Sequence, residues 1–360
     1  MVNFDMKKNY PYKIFLFLST LTRGLVEIFS LVLLYKKGFS QNEIFLFLFL
    51  NYTIGIFVNY ISLKLPYKIT LMISSLFFGT SFLYLSTMQT TIESLIILAL
   101  LLSISTYSYH SIRHLISLVN VKEKTISTNH IITTMYISII LSSIIGIYLI
   151  DKLPFEITSI IIFILSFLSL LPILKLEPNI PVISNKKNKV HLKRKKIIFN
   201  ILEQFKVMFL EIQPLFLYLY VEQSVSYVGI FNIILNLASL IVVCFIAKKI
   251  KTPYFKYICL TLGIIFILKL NIKSRIFLFG IAFFEGIYVK IYENFSLSNL
   301  YDLEEFEVIP YLLKEESIFF ITKSLFLLIV CLFHLNIHIL MYTAIFCIMI
   351  SGFFLPNNIK

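Results

Sequence analysis

Residues 12–35 read YKIFLFLSTLTRGLVEIFSLVLLY, an apolar run that nevertheless contains the charged pair Arg23 and Glu27. The run is long enough to cross a bilayer, because a hydrocarbon core of about 30 Å needs about 20 apolar residues in a helix. An ionisable group at mid-membrane costs at least about 2.5 kcal/mol and normally faces a bundle interior or a water-filled cavity. The stretch therefore predicts a membrane helix that carries functional charges.

The rest of the chain has the same character. Of its 360 residues, 58% are hydrophobic and only 14% are charged, which is typical of membrane proteins with many spans. We predict an all-α polytopic membrane protein with about twelve transmembrane helices. The apolar runs between polar breaks are residues 12–35, 41–62, 69–88, 92–117, 127–150, 155–174, 201–221, 225–247, 254–270, 276–297, 308–333 and 337–356.

A basic break divides these runs into two groups of six. Residues 176–200 combine six lysines with Pro178 and Pro181, a composition that indicates a solvated loop. The predicted domains are an N-terminal six-helix bundle at 1–175, a basic cytoplasmic linker at 176–200 and a C-terminal six-helix bundle at 201–360.

The distribution of positive charge predicts orientation, because Lys and Arg favour cytoplasmic loops. With the N-terminus inside, most basic loops also fall inside, so both termini are predicted to be cytoplasmic. Anionic lipid headgroups account for the formal net charge of +13, since the cations lie in loops next to spans. We therefore predict contact with membrane lipids and no nucleic-acid binding.

The two halves share short sequence features at equivalent positions. The second span is followed by KLPY at residues 64–67, and the eighth by KTPY at residues 251–254. Upstream, short turns containing Ser40 or Ser226 lead into these spans. Such internal repetition indicates duplication, which is the usual construction of secondary transporters.

With this layout, the chain resembles the major facilitator superfamily (MFS). The resemblance also rests on the turn GFSQNEI at residues 38–44 and on Arg113 near the cytoplasmic end of the fourth span. The loop at residues 59–68 keeps only the basic character of the family's signature loop, so the chain resembles a divergent, bacterial-type member. The resemblance implies a location in a bacterial inner or plasma membrane.

In this family the first, fourth, seventh and tenth helices line a central cavity, and polar groups at membrane depth largely concentrate in those spans of the chain. The candidate cavity residues are Arg23, Glu27, Tyr107, His110, Arg113, Glu211, Gln213 and Glu285. The candidate gating loops carry Lys64, Lys68, Lys249 and Lys251.

Depth within the spans singles out three of these groups. At 1.5 Å per residue, Arg23, Glu211 and Glu285 fall near the middle of their spans, and we expect them to meet in a shared aqueous pocket. A carboxylate there is expected to gain and lose a proton as the cavity alternates between faces, while Arg23 holds it charged or binds an anionic substrate. Alternatively, Arg23 and Glu27 form a local structural pair, because they are four residues apart.

These features predict a secondary active transporter that moves a small solute by alternating access and is coupled to protons or another ion. We do not expect an enzyme or a cofactor. No metal site is predicted, because His110 and His114 share a helix face without a third ligand at suitable spacing. Two alternatives stay open: a membrane-embedded transferase acting on a lipid-linked substrate, and a non-transporting immunity or sensor protein on the same scaffold.

Overall fold

The computed structural model describes residues 10–121, 125–175, 194–246, 254–301 and 305–354. These residues form helices joined by short turns. The helices are α1 (Tyr10–Gly24), α2 (Ser30–Lys36), α3 (Gln41–Ser62), α4 (Tyr67–Thr87), α5 (Ile92–Val121), α6 (Thr125–Lys152), α7 (Phe155–Leu168), α8 (Leu170–Leu174), α9 (Arg194–Tyr220), α10 (Val225–Ile241), α11 (Phe255–Asn271), α12 (Arg275–Tyr301), α13 (Glu305–Leu332) and α14 (Ile337–Ser351). Because α1 with α2 forms one broken span and α7 with α8 another, the predicted twelve spans are confirmed.

Seven helical stretches of the described chain are long and apolar enough to cross a membrane by length and composition. Six of them form the first half, and the seventh, residues 225–245, covers α10 and part of the π-helical turn that follows it. The long helices α9, α12 and α13 of the second half contain more charged residues, and several of these are buried. The second half is therefore a membrane bundle with an unusually charged interior, and the chain is a multi-pass integral membrane protein.

The helices pack extensively within each half, and the halves meet along two helix pairs. In the first half α4 packs on α5 and α7, while α1 packs on α6; in the second, α10 packs on α12 and α9 packs on α14. The largest contacts between the halves are those of α3 with α13 and of α6 with α10. These two seams flank the centre of the molecule.

The first span was expected to be continuous but is broken in the middle. Helix α1 ends at Gly24, and a short 3-10 turn at Glu27–Phe29 precedes α2. The backbone of the break lies against α6, where a Cβ atom added to Gly146 would come within 2.5 Å of the Leu25 carbonyl oxygen. The break falls between Arg23 and Glu27.

Element boundaries differ from the sequence expectation in the second half. Helix α9 begins at Arg194, so residues 194–200 of the predicted linker are helical. Ser40 caps α3 through the amide of Glu43, but α10 is capped by Ser224 rather than by Ser226. Ser226 instead donates a short hydrogen bond to Asp151 of the other half. Most of the KTPY motif lies outside the described residues.

Candidate functional site

Arg23 is enclosed within the first half. Its guanidinium donates to the Ser74 hydroxyl at 2.6 Å, and to the Ser105 hydroxyl at 2.9 Å and carbonyl at 3.2 Å. It also lies over the rings of Phe78 and Tyr109, with centroid distances of 4.6 and 4.5 Å. Hydroxyl and carbonyl acceptors together with aromatic faces surround most of the guanidinium. Arg23 thus ties α1 to α4 and α5.

Glu27 accompanies Arg23 but points to open space. Its carboxylate lies 3.4 Å from an Arg23 nitrogen, as the four-residue spacing predicted, yet 38% of its side chain is accessible whereas only 4% of Arg23 is. At the break in the first span, the Glu27 carboxylate is therefore accessible, whereas the Arg23 guanidinium is enclosed.

Glu211 has the same arrangement in the second half. Its carboxylate lies 3.4 Å from the Lys323 ammonium; 38% of the Glu211 side chain is accessible against 7% of Lys323. The ammonium also lies 4.5 Å from the ring centroid of Tyr52, which belongs to α3 in the first half. Because the Lys323 ammonium contacts both Glu211 and Tyr52, Glu211 lies close to where the two halves meet.

Glu27 lies in the 3-10 turn that packs against α9, the helix that carries Glu211. Each half thus contributes one accessible carboxylate to the same central region, backed by a buried cation. This region, defined by Glu27, Glu211, Lys323, Tyr52 and Tyr107, is called the central carboxylate site below.

Tyr107 forms an aromatic wall of this site. Its ring packs edge-on against Phe320 of α13, with centroids 4.6 Å apart, and lies 6.5 Å from Tyr52. A Cβ atom on Gly55 would come within 2.6 Å of the Tyr107 ring, so the glycine leaves room for it. Tyr107 also lies within electrostatic range of Glu27.

Glu285 lies elsewhere, in the core of the second half. Its carboxylate accepts a 2.7 Å hydrogen bond from the Lys269 ammonium, and both side chains are completely inaccessible. Lys269 also donates to the Gln213 side-chain oxygen at 2.6 Å and lies over the rings of Phe209 and Phe266. The structure therefore does not bring Arg23, Glu211 and Glu285 into one pocket: Arg23 and Glu285 are enclosed in different halves, and Glu211 faces the space between them.

Gln213 links this buried pair to a cavity beside the α6–α10 seam. The cavity has a volume of about 150 Å³ and is bounded by both halves, through Ile28 and Tyr136 on one side and α9, α10 and α12 on the other. Its polar lining is mostly uncharged, and the charged member, Glu293, is paired with Lys290 at 3.2 Å.

A further group of ion pairs lies toward the end of the molecule where α9 begins. Lys196 pairs with Glu315 at 3.1 Å, joining α9 to α13. Lys206 lies 4.0 Å from both Glu203 and Glu293. Paired charges of this kind let a helix with several ionisable groups lie inside a membrane bundle.

The remaining predicted cavity residues lie near this end. His110 stacks edge-on with Tyr109 at 5.6 Å, and the Arg113 guanidinium is 5.6 Å from the same ring. Arg113 also lies within electrostatic range of Glu293 and Glu316 of the second half. The side chain of His114 is outside the described residues.

The predicted gating lysines are only partly described. The Lys68 ammonium donates to the Leu174 carbonyl at 3.1 Å, at the end of α8, and Lys64 lies 3.8 Å from the ring centroid of Tyr60. Both contacts are within the first half. Lys249 and Lys251 lie outside the described residues, so the gating role stays a prediction.

Lys269 and Lys323 were not among the cavity residues predicted from the sequence. Both lie on spans that the resemblance did not place at the cavity, yet each neutralises a predicted cavity carboxylate. The sequence contained one signal for this pairing. A carboxylate at membrane depth normally has a cationic partner, and these two lysines lie inside apolar runs, as Glu211 and Glu285 do.

The whole chain superposes on solved transporter structures. The human organic anion transporter MFSD10 (TETRAN) matches with a TM-score of 0.71 and 12% identity, covering 99% of this chain and 100% of that one. A mutant of the nucleoside transporter NupG matches with a TM-score of 0.65 and 14% identity over 96% of each chain. The chain has the MFS fold. No family model matches the sequence, and no curated protein matches it significantly.

At these identities the likeness concerns the fold, so the chemistry of the site rests on this chain's own residues.

Proposed function

We propose that this chain is a secondary active transporter that moves a small solute by alternating access, coupled to protons. The observation that carries the proposal is the central carboxylate site, where each half contributes an accessible carboxylate at membrane depth. A charge at membrane depth that is not fully neutralised is costly, so such groups are usually retained for a function such as transport. The six-helix halves, residues 1–175 and 201–360, would rock about this site.

Glu211 is the proposed proton-carrying group. It is accessible, its cation lies at 3.4 Å rather than at normal hydrogen-bond distance, and Glu27 lies nearby. Two carboxylates that face each other favour binding of a proton or a cation between them. Glu285, which the sequence also suggested, is less suited because it is inaccessible and holds Lys269 at 2.7 Å.

The contacts between the halves support a state that is closed at one end. Gln41 donates to the Tyr220 hydroxyl at 3.4 Å, the Tyr35 and Tyr218 rings lie 6.3 Å apart, and Ser226 bonds Asp151. Glu211 lies nine residues from the end of α9 at this closed side, about 13 Å along the helix. The site would then open toward the other end, where α1 begins and which we place in the cytoplasm of a bacterial cell.

The test uses purified protein in proteoliposomes that contain the pH dye pyranine. Pools of organic cations, organic anions, nucleosides and sugars are added outside, and proton movement that depends on both solute and protein identifies a substrate. Its accumulation under an imposed pH gradient is then measured for the wild type and Glu211→Gln. We expect the variant to lose gradient-driven accumulation while it still exchanges labelled for unlabelled substrate.

Glu222→Gln serves as the matched control, because Glu222 pairs with Arg275 at 2.8 Å in the turn between α9 and α10. It should transport like the wild type. Full gradient-driven accumulation by Glu211→Gln would exclude Glu211 as the proton carrier, and the absence of protein-dependent flux for every pool would argue against transport itself.

A further inference from the structure

The accessible charge in the central carboxylate site is negative, and the cations are behind it. Both carboxylates have 38% accessible side chains, whereas Arg23 and Lys323 have 4% and 7%. A solute that enters between the halves therefore meets two carboxylates before it meets a cation. Such a surface attracts positively charged solutes and repels anions.

The site already holds an ammonium group. The Lys323 ammonium lies between the Glu211 carboxylate at 3.4 Å and the face of Tyr52, whose ring centroid is 4.5 Å away. A carboxylate on one side and an aromatic face on another are the usual means by which proteins bind organic ammonium ions. The 3.4 Å separation is long for a charge-assisted hydrogen bond, so Glu211 keeps capacity for a second donor.

The aromatic wall extends this environment toward Glu27. Tyr107 and Phe320 pack edge-on at 4.6 Å, and Tyr107 lies within electrostatic range of Glu27. An apolar wall between two carboxylates suits a solute whose ammonium group is attached to a small apolar or aromatic body.

We infer that the central carboxylate site recognises a small organic ammonium compound, and that Lys323 is a tethered ammonium that such a substrate displaces from Glu211. The inference rests on the proposed function for its role in transport, although binding itself is measured without transport. Displacement also has a structural consequence. Lys323 joins Glu211 of the second half to Tyr52 of the first, so its release loosens one link between the halves.

The same contacts argue against an anionic substrate at this site. Arg23 already donates to Ser74 and Ser105 and is covered by two rings, so its guanidinium is not presented to the cavity. Lys323 lies under Tyr52. An anion would have to remove one of these cations from its partners and approach two carboxylates as well.

The test measures thermal stabilisation of the purified full-length protein in detergent by three probes of similar shape: benzylamine, benzyl alcohol and benzoate. A ligand that binds only the folded protein raises its apparent stability. We expect benzylamine to stabilise the wild type, and the neutral and anionic probes to have no effect. In Glu211→Gln the apparent affinity for benzylamine should fall at least about tenfold, because a charge-assisted contact is lost.

The variant Lys323→Gln distinguishes binding of benzylamine at Glu211 from non-specific binding of cations. Removal of the tethered ammonium should tighten benzylamine binding, by about tenfold if Lys323 competes for Glu211. Glu27→Gln, whose carboxylate lies on the other half, provides a second test if a variant at the Glu211–Lys323 pair fails to fold. It should weaken benzylamine binding, while Glu222→Gln should bind as the wild type does.

Several results would overturn the inference: stronger stabilisation by benzoate or benzyl alcohol, no stabilisation by benzylamine, or benzylamine binding unchanged in Glu211→Gln and Glu27→Gln. Failure of the proposed function gives a different result. If benzylamine binds as described but proteoliposomes show no protein-dependent flux, the site takes ammonium compounds and the chain does not transport them. Flux of anions alone would support transport and contradict the substrate class.

Discussion

Replacing Lys269 by methionine is expected to destabilise the protein strongly while leaving the central carboxylate site intact. The substitution removes two hydrogen bonds from a charged donor, at 2.7 Å to Glu285 and 2.6 Å to Gln213. Bonds to charged groups contribute about 1.5–3 kcal/mol each, and breaking a buried pair by removing one partner costs about 3–5 kcal/mol. Because both side chains are inaccessible, water cannot replace the lost partner. We therefore expect a loss of about 3–5 kcal/mol in the free energy of unfolding.

The double variant Lys269→Met/Glu285→Met distinguishes a buried ion pair from simple loss of packing. Removing both charges leaves only Gln213 without a partner, so the double variant should lose about 1–3 kcal/mol, less than either single variant. Unfolding by denaturant in mixed micelles gives the free energies of all four proteins. The exposed pair Arg275 and Glu222 is the control cycle, with an expected coupling below about 1 kcal/mol.

Additive losses in the Lys269–Glu285 cycle, or a single-variant loss below about 1 kcal/mol, would refute this account of the pair. The double variant has a functional outcome as well. Since Glu285 lies outside the accessible site, the double variant should retain gradient-driven transport when tested at a temperature where it is folded.

Three other perturbations test the packing around the site. Gly146→Ala should lower the free energy of unfolding by about 1–3 kcal/mol, because the added Cβ atom would come within 2.5 Å of the backbone at the break in the first span. The control Gly280→Ala, whose Cβ atom would have no atom within 4 Å, should be neutral or slightly stabilising, and equal effects of the two substitutions would contradict the close approach. Arg23→Lys should lower the free energy of unfolding by roughly 2–3 kcal/mol in the same assay, because an ammonium group cannot contact two helices at once as the guanidinium does. A loss below about 0.5 kcal/mol would show that these contacts contribute little. A variant without the four native cysteines can carry Gln41→Cys and Tyr220→Cys, which a short thiol-reactive linker then bridges. The bridge should stop transport reversibly by holding one end closed, and undiminished transport by the bridged protein would rule out opening at that end.

The fold was largely predictable from the sequence, because membrane helices are recognised from long apolar runs. The number of spans and the basic break between the halves follow from hydropathy alone. The local pair of Arg23 and Glu27 was predicted from its four-residue spacing, and it forms although the helix is broken between the two residues. Such features depend only on neighbours along the chain.

The partners of Glu211 and Glu285 were not predictable in the same way. Lys323 is 112 residues from Glu211 in sequence, and only packing of α13 against α9 brings them together. Lys269 lies two residues before the end of α11, where a lysine is usually expected to reach the membrane surface, but its side chain instead contacts Glu285. The break in the first span was also hidden, since a single glycine such as Gly24 is common in continuous membrane helices.

The most direct test of the account is carboxylate footprinting of the wild-type protein in lipid nanodiscs. A water-soluble carbodiimide with glycine ethyl ester labels accessible carboxylates, and mass spectrometry gives the extent of labelling at each position. The account predicts labelling of Glu27 and Glu211 and no labelling of Glu285. Labelling of Glu285 with Glu27 and Glu211 unmodified would contradict a central site built from those two carboxylates.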